Sequence, residues 1–512
     1  MSGVRRRGDA ESAQKGVTLE LREPNTDIRL VSSVDSDTPC IIWWLRHDLR
    51  LADNPALAAA ARCGRIVPVY VFEADAHTAP YAGAAGRVAL HHSLEDLNQR
   101  LGGAIRFCSG SAAQILERLC HKYGAEGVYY TRQFTPEGIA CEGEVEQAML
   151  KAEVTTFAHN GSYLWEPEQV LKDDGSAYRV FTPFYRNALQ HAPMPPQPMS
   201  APEELELITV DAEERNDVDT LALLPGHPWG DKLVRHWDMG EKGAHTRLHT
   251  FITHGLPEYS TARDCPACSG VSRLSISLAL GEVSPQQLWH AVVGSTNQDL
   301  SPDSEGFAFR RQLGWREFSL TQVWHNPDMR WRNLQEKFDR FPWRDDAEVL
   351  QRWQRGETGY PLVDAGMCEL WDTGYMHNRV RMVVGSFLVK NLLLHWHHGE
   401  AWFRDCLMDA DHANNCAGWQ WIAGCGADAA PYFRIFNPVT QARRFDPKGE
   451  YVRYFVPQLR HLPDRYIFEP WKAPQEVLKE ADIELGRDYS RPMVDLKASR
   501  QRALDAYAQV KG

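Results

Sequence analysis

Between residues 40 and 157, five short apolar runs alternate with stretches of helical character, and this alternation constrains the fold more than any other feature of the chain. The runs are Cys40-Ile-Ile-Trp-Trp-Leu45, Arg65-Ile-Val-Pro-Val-Tyr-Val-Phe72, Ala104-Ile-Arg-Phe107, Gly127-Val-Tyr-Tyr130 and Glu153-Val-Thr-Thr-Phe157. They are short and rich in β-branched and aromatic residues, as buried strands are. Asp53-Asn-Pro55 opens one intervening helix with an Asp or Asn cap and a proline in the first turn. Further helices are predicted near 87–101, 111–123 and 137–151. Strands alternating with helices build a parallel, doubly wound sheet, so residues 40–164 are read as a Rossmann-like α/β domain. No GxGxxG follows the first strand, which leaves a dinucleotide site of the usual kind unsupported there.

Downstream the pattern changes. Residues 165–245 carry Pro193-Met-Pro-Pro-Gln-Pro198 and an acidic stretch at 203–218, and are expected to be an interdomain linker. From 246 to 490 apolar residues recur at three and four, and most of the 17 Trp fall here. This predicts a second, larger, all-α domain. Residues 1–39 are polar and without period, the pattern of a disordered extension, and 491–512 are expected to form a C-terminal tail. No run of about 18 apolar residues exists, which excludes a membrane-spanning helix. A net charge of −12 disfavours a generally basic nucleic-acid binder, although not a local basic cleft. Eleven cysteines, scattered behind an N-terminus with no apolar signal segment, point to a reducing cytoplasm. Cys265-Pro-Ala-Cys268 is a lone CxxC, and we read the cysteines as small buried hydrophobes rather than metal ligands. No metal is expected.

Four segments of the helical region concentrate polar, aromatic and Arg residues beyond the needs of a bundle. Glu258–Asp264, followed by Gly270-Val-Ser-Arg-Leu-Ser275, can cradle a phosphate on backbone N–H groups or simply cap a helix. Arg310-Arg-Gln-Leu-Gly-Trp-Arg-Glu-Phe318 suits phosphate contact with base stacking, or a snorkelling amphipathic helix. In Trp371–Met382, helical spacing puts Arg379 and Met382 on one side and Asn378 and Arg381 on another, so one helix could serve two ligands. In Asp409–Trp421, Asp411 and Asn415 share a face, Trp419 and Trp421 face apart, and Asp409 is placed to pair with Arg381. No Ser-His-Asp, P-loop or HExxH arrangement occurs, and His395, His397 and His398 are read as packing.

These motifs resemble the photolyase/cryptochrome family, and more closely its microbial cyclobutane pyrimidine dimer (CPD) photolyases of class I/III type. The resemblance begins at Trp44-Leu-Arg-His-Asp-Leu-Arg-Leu-Ala-Asp-Asn-Pro-Ala-Leu57. It continues through Val180-Phe-Thr-Pro-Phe184 and Ser272-Arg-Leu-Ser275. It is strongest from Thr358-Gly-Tyr-Pro-Leu-Val-Asp364 to Tyr432-Phe-Arg-Ile-Phe-Asn-Pro438.

It implies an antenna-binding α/β domain, a helical domain holding FAD, and blue-light repair of UV-damaged DNA by electron transfer to a flipped-out dimer. The protein would be a cytoplasmic monomer. By resemblance, Tyr259, Ser272, Arg273, Leu274, Ser275, Trp315, Asn378, Arg381, Asp409, Asp411 and Asn415 hold FAD. Asn415 sits near the reactive flavin nitrogen, and Trp419, Trp396 and Trp343 relay electrons to the flavin. Arg263, Gln312, Trp315, Asn378, Arg379, Met382 and Trp421 meet the DNA lesion. Gln312 stands where many relatives carry Glu, and Val271 where many carry Thr. The implied antenna is methenyltetrahydrofolate, with Glu137 one position from the usual folate-contacting acid. A signalling cryptochrome and a (6-4) photolyase are the alternatives.

Overall fold

In a computed structural model, residues 28–31, 38–73, 82–208, 216–296 and 301–511 are described. The first domain is a five-stranded, wholly parallel sheet built from β2 (Cys40–Leu45), β3 (Arg65–Phe72), β4 (Arg106–Ser109), β5 (Ala125–Thr131) and β6 (Thr155–His159), in the order β4-β3-β2-β5-β6. Every residue of the central strand β2 is buried. Helices cover both faces of such a sheet, which is why the strand reads as an unbroken apolar run. The crossovers are α1 (Pro55–Cys63), α2 (Ala84–Arg100), α3 (Ala112–Tyr123) and α4 (Pro136–Lys151). Asn54, Ser111 and Thr135 cap α1, α3 and α4 through their side chains.

The connection order reverses between β2 and β5. That reversal opens a crevice beyond the carboxyl ends of those two strands, the usual place for a ligand in an open α/β sheet.

Three expected boundaries differ in the structure. Within the supposed disordered extension, β1 (Arg29–Val31) pairs in parallel with β7 (Glu204–Glu206); residues 1–27 and 32–37 lie outside the described residues. The supposed linker, 165–245, is largely built structure. Its helix α5 (Phe181–His191) buries Phe181, Phe184, Tyr185 and Ala188, which are spaced at helical intervals. Helices Trp229–Val234 and Gly240–Thr250 follow, and among these segments only 193–200 fits the proline-rich reading. The supposed tail carries helix Leu496–Ala508. It buries Ala503 and Ala506, donates from Arg502 to Asn391 O (2.6 Å) and stacks Tyr507 on Tyr432.

The helical domain closes on the sheet domain through the first family motif. Arg50 is fully buried and donates to Gly281 O (3.0 Å), Gly161 O (2.5 Å) and Asp53 O (2.7 Å). Glu241, also buried, accepts from Leu51 N and Ala52 N at 2.9 Å each and from Arg100 at 2.6 Å. Gly281 has φ 74°, and a Cβ there would lie 2.1 Å from His47 O, so the domains meet backbone to backbone. Those buried groups are hydrogen-bonded throughout, as desolvated charges must be.

Candidate functional site

A cavity of about 550 Å³ lies within the helical domain. Helix periodicity explains its walls. From helix Glu305–His325, Gln312, Trp315, Arg316 and Ser319 reach it. From helix Asn378–Ser386 come Asn378, Arg381, Met382 and Gly385, and from helix His412–Ala423 come Asn415, Gly418, Trp419 and Ile422. Each set recurs at three and four, one face per helix. Tyr259, Arg263 and the stretch Val271–Ser275 close another side, and Trp421 borders it as well.

The polar floor is an ion pair. Arg381 donates to Asp409 at 2.8 Å and to Met376 O at 2.7 Å. Burial draws the Arg381 pKa down, but the Asp409 charge and hydrogen bond outweigh it and the net direction is up. The Asp409 side chain is 4% exposed, and its Oδ1 has no partner among the described residues. A buried acceptor of this kind fits a ring N–H. Asn415 is oriented by donating to Glu400 O at 3.1 Å.

His377, just behind this floor, caps its helix by accepting from Arg379 N at 3.1 Å. Burial is the main cause that lowers its pKa to about 4, with Arg379, Arg381 and Arg263 adding to it against Asp264, so it is a neutral imidazole at neutral pH. At the mouth, Trp315 is stacked on Phe181, centroids 3.9 Å apart and planes 8° off parallel, and Gln312 accepts from Arg263 at 3.2 Å.

Of the residues singled out in the sequence, the cavity gathers Tyr259, Arg263, Ser272, Arg273, Leu274, Ser275, Gln312, Trp315, Asn378, Arg381, Met382, Asp409, Asp411, Asn415, Trp419 and Trp421. Two expectations need correction, those for Arg379 and for the CxxC pair. Arg379 does not border the cavity; it pairs with Asp264 at 2.7 Å and lies over Phe445. The Arg273 guanidinium sits against the rings of Trp237 and Tyr375 (4.4 and 5.1 Å). Asp411 uses its carboxylate as the helix cap, accepting from Asn414 N at 2.8 Å.

Of the Trp series, Trp419 borders the cavity and Trp396 is fully buried and bonded to Asn333; the His395 ring lies 5.6 Å from Trp396 and 5.0 Å from Trp343. Finally, Cys265 and Cys268 are joined as a disulfide rather than packed as hydrophobes. The Pro266 turn brings residues three apart together, and Cys268 is exposed.

The sequence reading missed Asp264, Phe181, Tyr375 and Trp353. An acid beside Arg263 was a legible signal for Asp264. Trp353 touches Trp419 at 6.3 Å and is fully buried, a role that no local pattern marks.

A second, smaller cavity of about 110 Å³ occupies the crevice between β2 and β5, bordered by Trp44, Arg46, Tyr70, Glu137, Arg316 and His412. Two charged pairs border it. Arg46 bonds Glu142, and Glu137 on α4 meets His412 at 2.9 Å across the domain seam. Asp411 borders both cavities.

Comparison with known proteins agrees with both halves of this architecture. Residues 41–203 match the DNA photolyase family model, and residues 309–509 match the FAD binding domain of DNA photolyase. The chain is 44% identical to a deoxyribodipyrimidine photo-lyase of Agrobacterium fabrum, over 93% of this chain and 98% of that one. It is 34% identical to cryptochrome-1 of Arabidopsis thaliana, over 92% of this chain and 70% of that one. A crystal structure of a bacterial class III photolyase from Agrobacterium tumefaciens superposes with a TM-score of 0.87 at 44% identity, covering 94% of this chain and 99% of that one. The chain therefore belongs to the photolyase/cryptochrome family.

Proposed function

We propose that this chain is a deoxyribodipyrimidine photo-lyase that splits cyclobutane pyrimidine dimers in UV-damaged DNA under blue light, with FAD as its redox cofactor. The observation that carries the reading is continuity. The Arg381–Asp409 floor and the Arg263, Gln312, Trp315 and Trp421 mouth border one cavity, so a buried ring and an incoming lesion would lie in contact.

The residues present fit a flavin, since Asp409 Oδ1 is a buried acceptor without a partner among the described residues. Asp409, Arg381, Asn378 and Asn415 would surround its ring, with Asp411 behind them. Tyr259, Ser272, Arg273, Leu274 and Ser275 would line its phosphate and ribityl side, and Trp315 would flank it. Reduced FAD, when bound, supplies the electron that light drives onto the dimer and takes it back after the ring opens, so the reaction is redox-neutral overall.

The chain's own part is position and electrostatics. Arg381, held from two sides, keeps a fixed positive charge beside the ring. Trp315, held flat by Phe181, offers a stacking wall with Trp421 and Met382. Gln312 can donate and accept at the lesion but cannot supply a proton. A dimer stacks and pairs poorly, so turning it out of the duplex costs less than for normal bases. Arg263 at the mouth neutralises a flanking phosphate. Trp419, Trp396 and Trp343 form the relay that restores reduced flavin. The chain acts as a monomer in the cytoplasm.

The test is repair itself. The holoprotein is photoreduced without oxygen, mixed with a thymine-dimer oligonucleotide and lit with blue light. Thymine absorbance should recover in the light only. A dimer that survives with reduced flavin bound overturns the reading and turns attention to (6-4) lesions or to signalling.

The interdomain cavity is where we place the antenna, with methenyltetrahydrofolate as the pigment. A crevice at the sheet's switch point supports the placement. Pterin fluorescence from the denatured holoprotein checks it.

A further inference from the structure

Along the chain, the Cys265–Cys268 disulfide falls between Arg263 and Val271–Ser275, which border the large cavity. Immediately before it, Arg263 and Asp264 are each fastened to a different helix. Arg263 donates to Gln312 on helix Glu305–His325 (3.2 Å), and Asp264 accepts from Arg379 on helix Asn378–Ser386 (2.7 Å). Immediately after it, the chain returns to its own start at Gly270. A Cβ on Gly270 would lie 2.5 Å from Ala262 Cβ and 2.7 Å from Ala262 backbone atoms, so the two strands of this loop touch at their base. From there Val271–Ser275 run along the cavity.

The loop is thus closed twice, at the base by the Ala262–Gly270 contact and at the tip by the disulfide. Cys265 is half-buried and Cys268 exposed, so a small dithiol can reach the bond. Among the other described cysteines most are buried, and only Cys63 is exposed.

We propose that Cys265–Cys268 is a thiol–disulfide exchange site that sets lesion affinity. The partner is a dithiol reductant. Its thiolate attacks one cysteine sulfur and the Cys265–Cys268 bond breaks. The second thiol then closes a disulfide in the reductant, leaving two cysteine thiols after transfer of two electrons and two protons. Opening the tip frees the turn that follows Arg263 and Asp264, and the two anchors lose preorganisation. The base contact remains, so the Val271–Ser275 stretch keeps its place. Reduction therefore weakens lesion binding while leaving flavin retention unchanged. A merely structural disulfide would not separate the two. By linkage, damaged DNA must protect the disulfide by the same factor by which the disulfide strengthens binding.

This inference rests on the repair reading. The experiment measures binding of a thymine-dimer oligonucleotide to the FAD-loaded protein by anisotropy in the dark, with and without dithiothreitol. Flavin content is read from absorbance. The Cys265→Ser/Cys268→Ser variant and a Cys63→Ser control are measured alongside. Reduction should weaken binding roughly three- to tenfold with flavin content constant. The double variant should bind like the reduced chain and ignore dithiothreitol. A titration of the pair by thiol alkylation should need a potential lower by about 15–30 mV when damaged DNA is bound, the same fold-change converted for two electrons. Equal lesion binding in both redox states overturns the inference alone, as does dithiothreitol sensitivity that survives in the double variant. No lesion binding in either state overturns the repair reading and this inference with it.

Discussion

The two cavities differ in how they treat charge. At the interdomain crevice two charged pairs close on themselves: Arg46 with Glu142, Glu137 with His412. In the helical cavity Arg381 and Asp409 pair, yet one oxygen of Asp409 stays without a partner inside a 4% exposed side chain. Leaving a buried acceptor unmatched is unfavourable by roughly 1–3 kcal/mol, and a fold keeps such a group when something else completes it. The contrast is between a cavity whose bordering pairs satisfy each other and one that keeps a buried acceptor open.

The sharpest break of this contrast is Asp409→Ala. It leaves the Arg381 guanidinium enclosed without its counter-charge, which should lower stability by about 2–4 kcal/mol. Arg381 is a quarter exposed, which argues for the lower end. FAD should be lost with it, read as flavin absorbance after gel filtration beside a thermal melt. A variant that keeps both flavin and melting temperature would show that the orphan oxygen has no partner to await.

Next in size is the stacking wall. Trp315→Ala should reduce affinity for a dimer-containing oligonucleotide about 10- to 100-fold, from the roughly 1–3 kcal/mol that a stacked base contributes. Trp421→Ala should do the same or less, because among the described residues no ring stacks on it as Phe181 does on Trp315. Undamaged DNA should bind both variants as it binds the parent, and a parallel loss there would make the wall a general DNA contact.

How far the sequence could be read follows the same physics. The sheet domain was legible because burial on both faces writes continuous apolar runs, and because Asn54, Ser111 and Thr135 mark helix starts locally. Most cavity residues were legible through family motifs and helical spacing. Long-range pairing was not. Nothing local says that Arg379 turns to Asp264, 115 residues away, or that Trp353 lies against Trp419. The linker reading failed for a different reason. Pro193–Pro198 drew attention from Phe181, Phe184, Tyr185 and Ala188, whose spacing already described a helix. Cys265–Cys268 lay in plain view as a CxxC, but composition across eleven cysteines argued for thiols.

The smallest expected effect concerns the seam, and it tests whether the cavities are independent. Burial pushes the Glu137 carboxyl upward, but the His412 hydrogen bond and charge more than offset this, and its pKa lies below the usual value. A carboxylate depressed in the folded state stabilises fully above its unfolded value, about 4.3, and that contribution is lost as pH falls through the folded value. Acid below about pH 4 should therefore loosen α4 from helix His412–Ala423, seen as faster amide exchange across Pro136–Lys151, and release the antenna pigment. The same acid leaves FAD in place if the Arg381–Asp409 floor is a separate unit. Glu137→Gln should abolish the acid step, since a carboxamide does not titrate, and leave flavin content untouched. Simultaneous loss of both cofactors at one pH would instead make Asp411, which borders both cavities and caps the helix carrying Asn415, the hinge through which each feels the other.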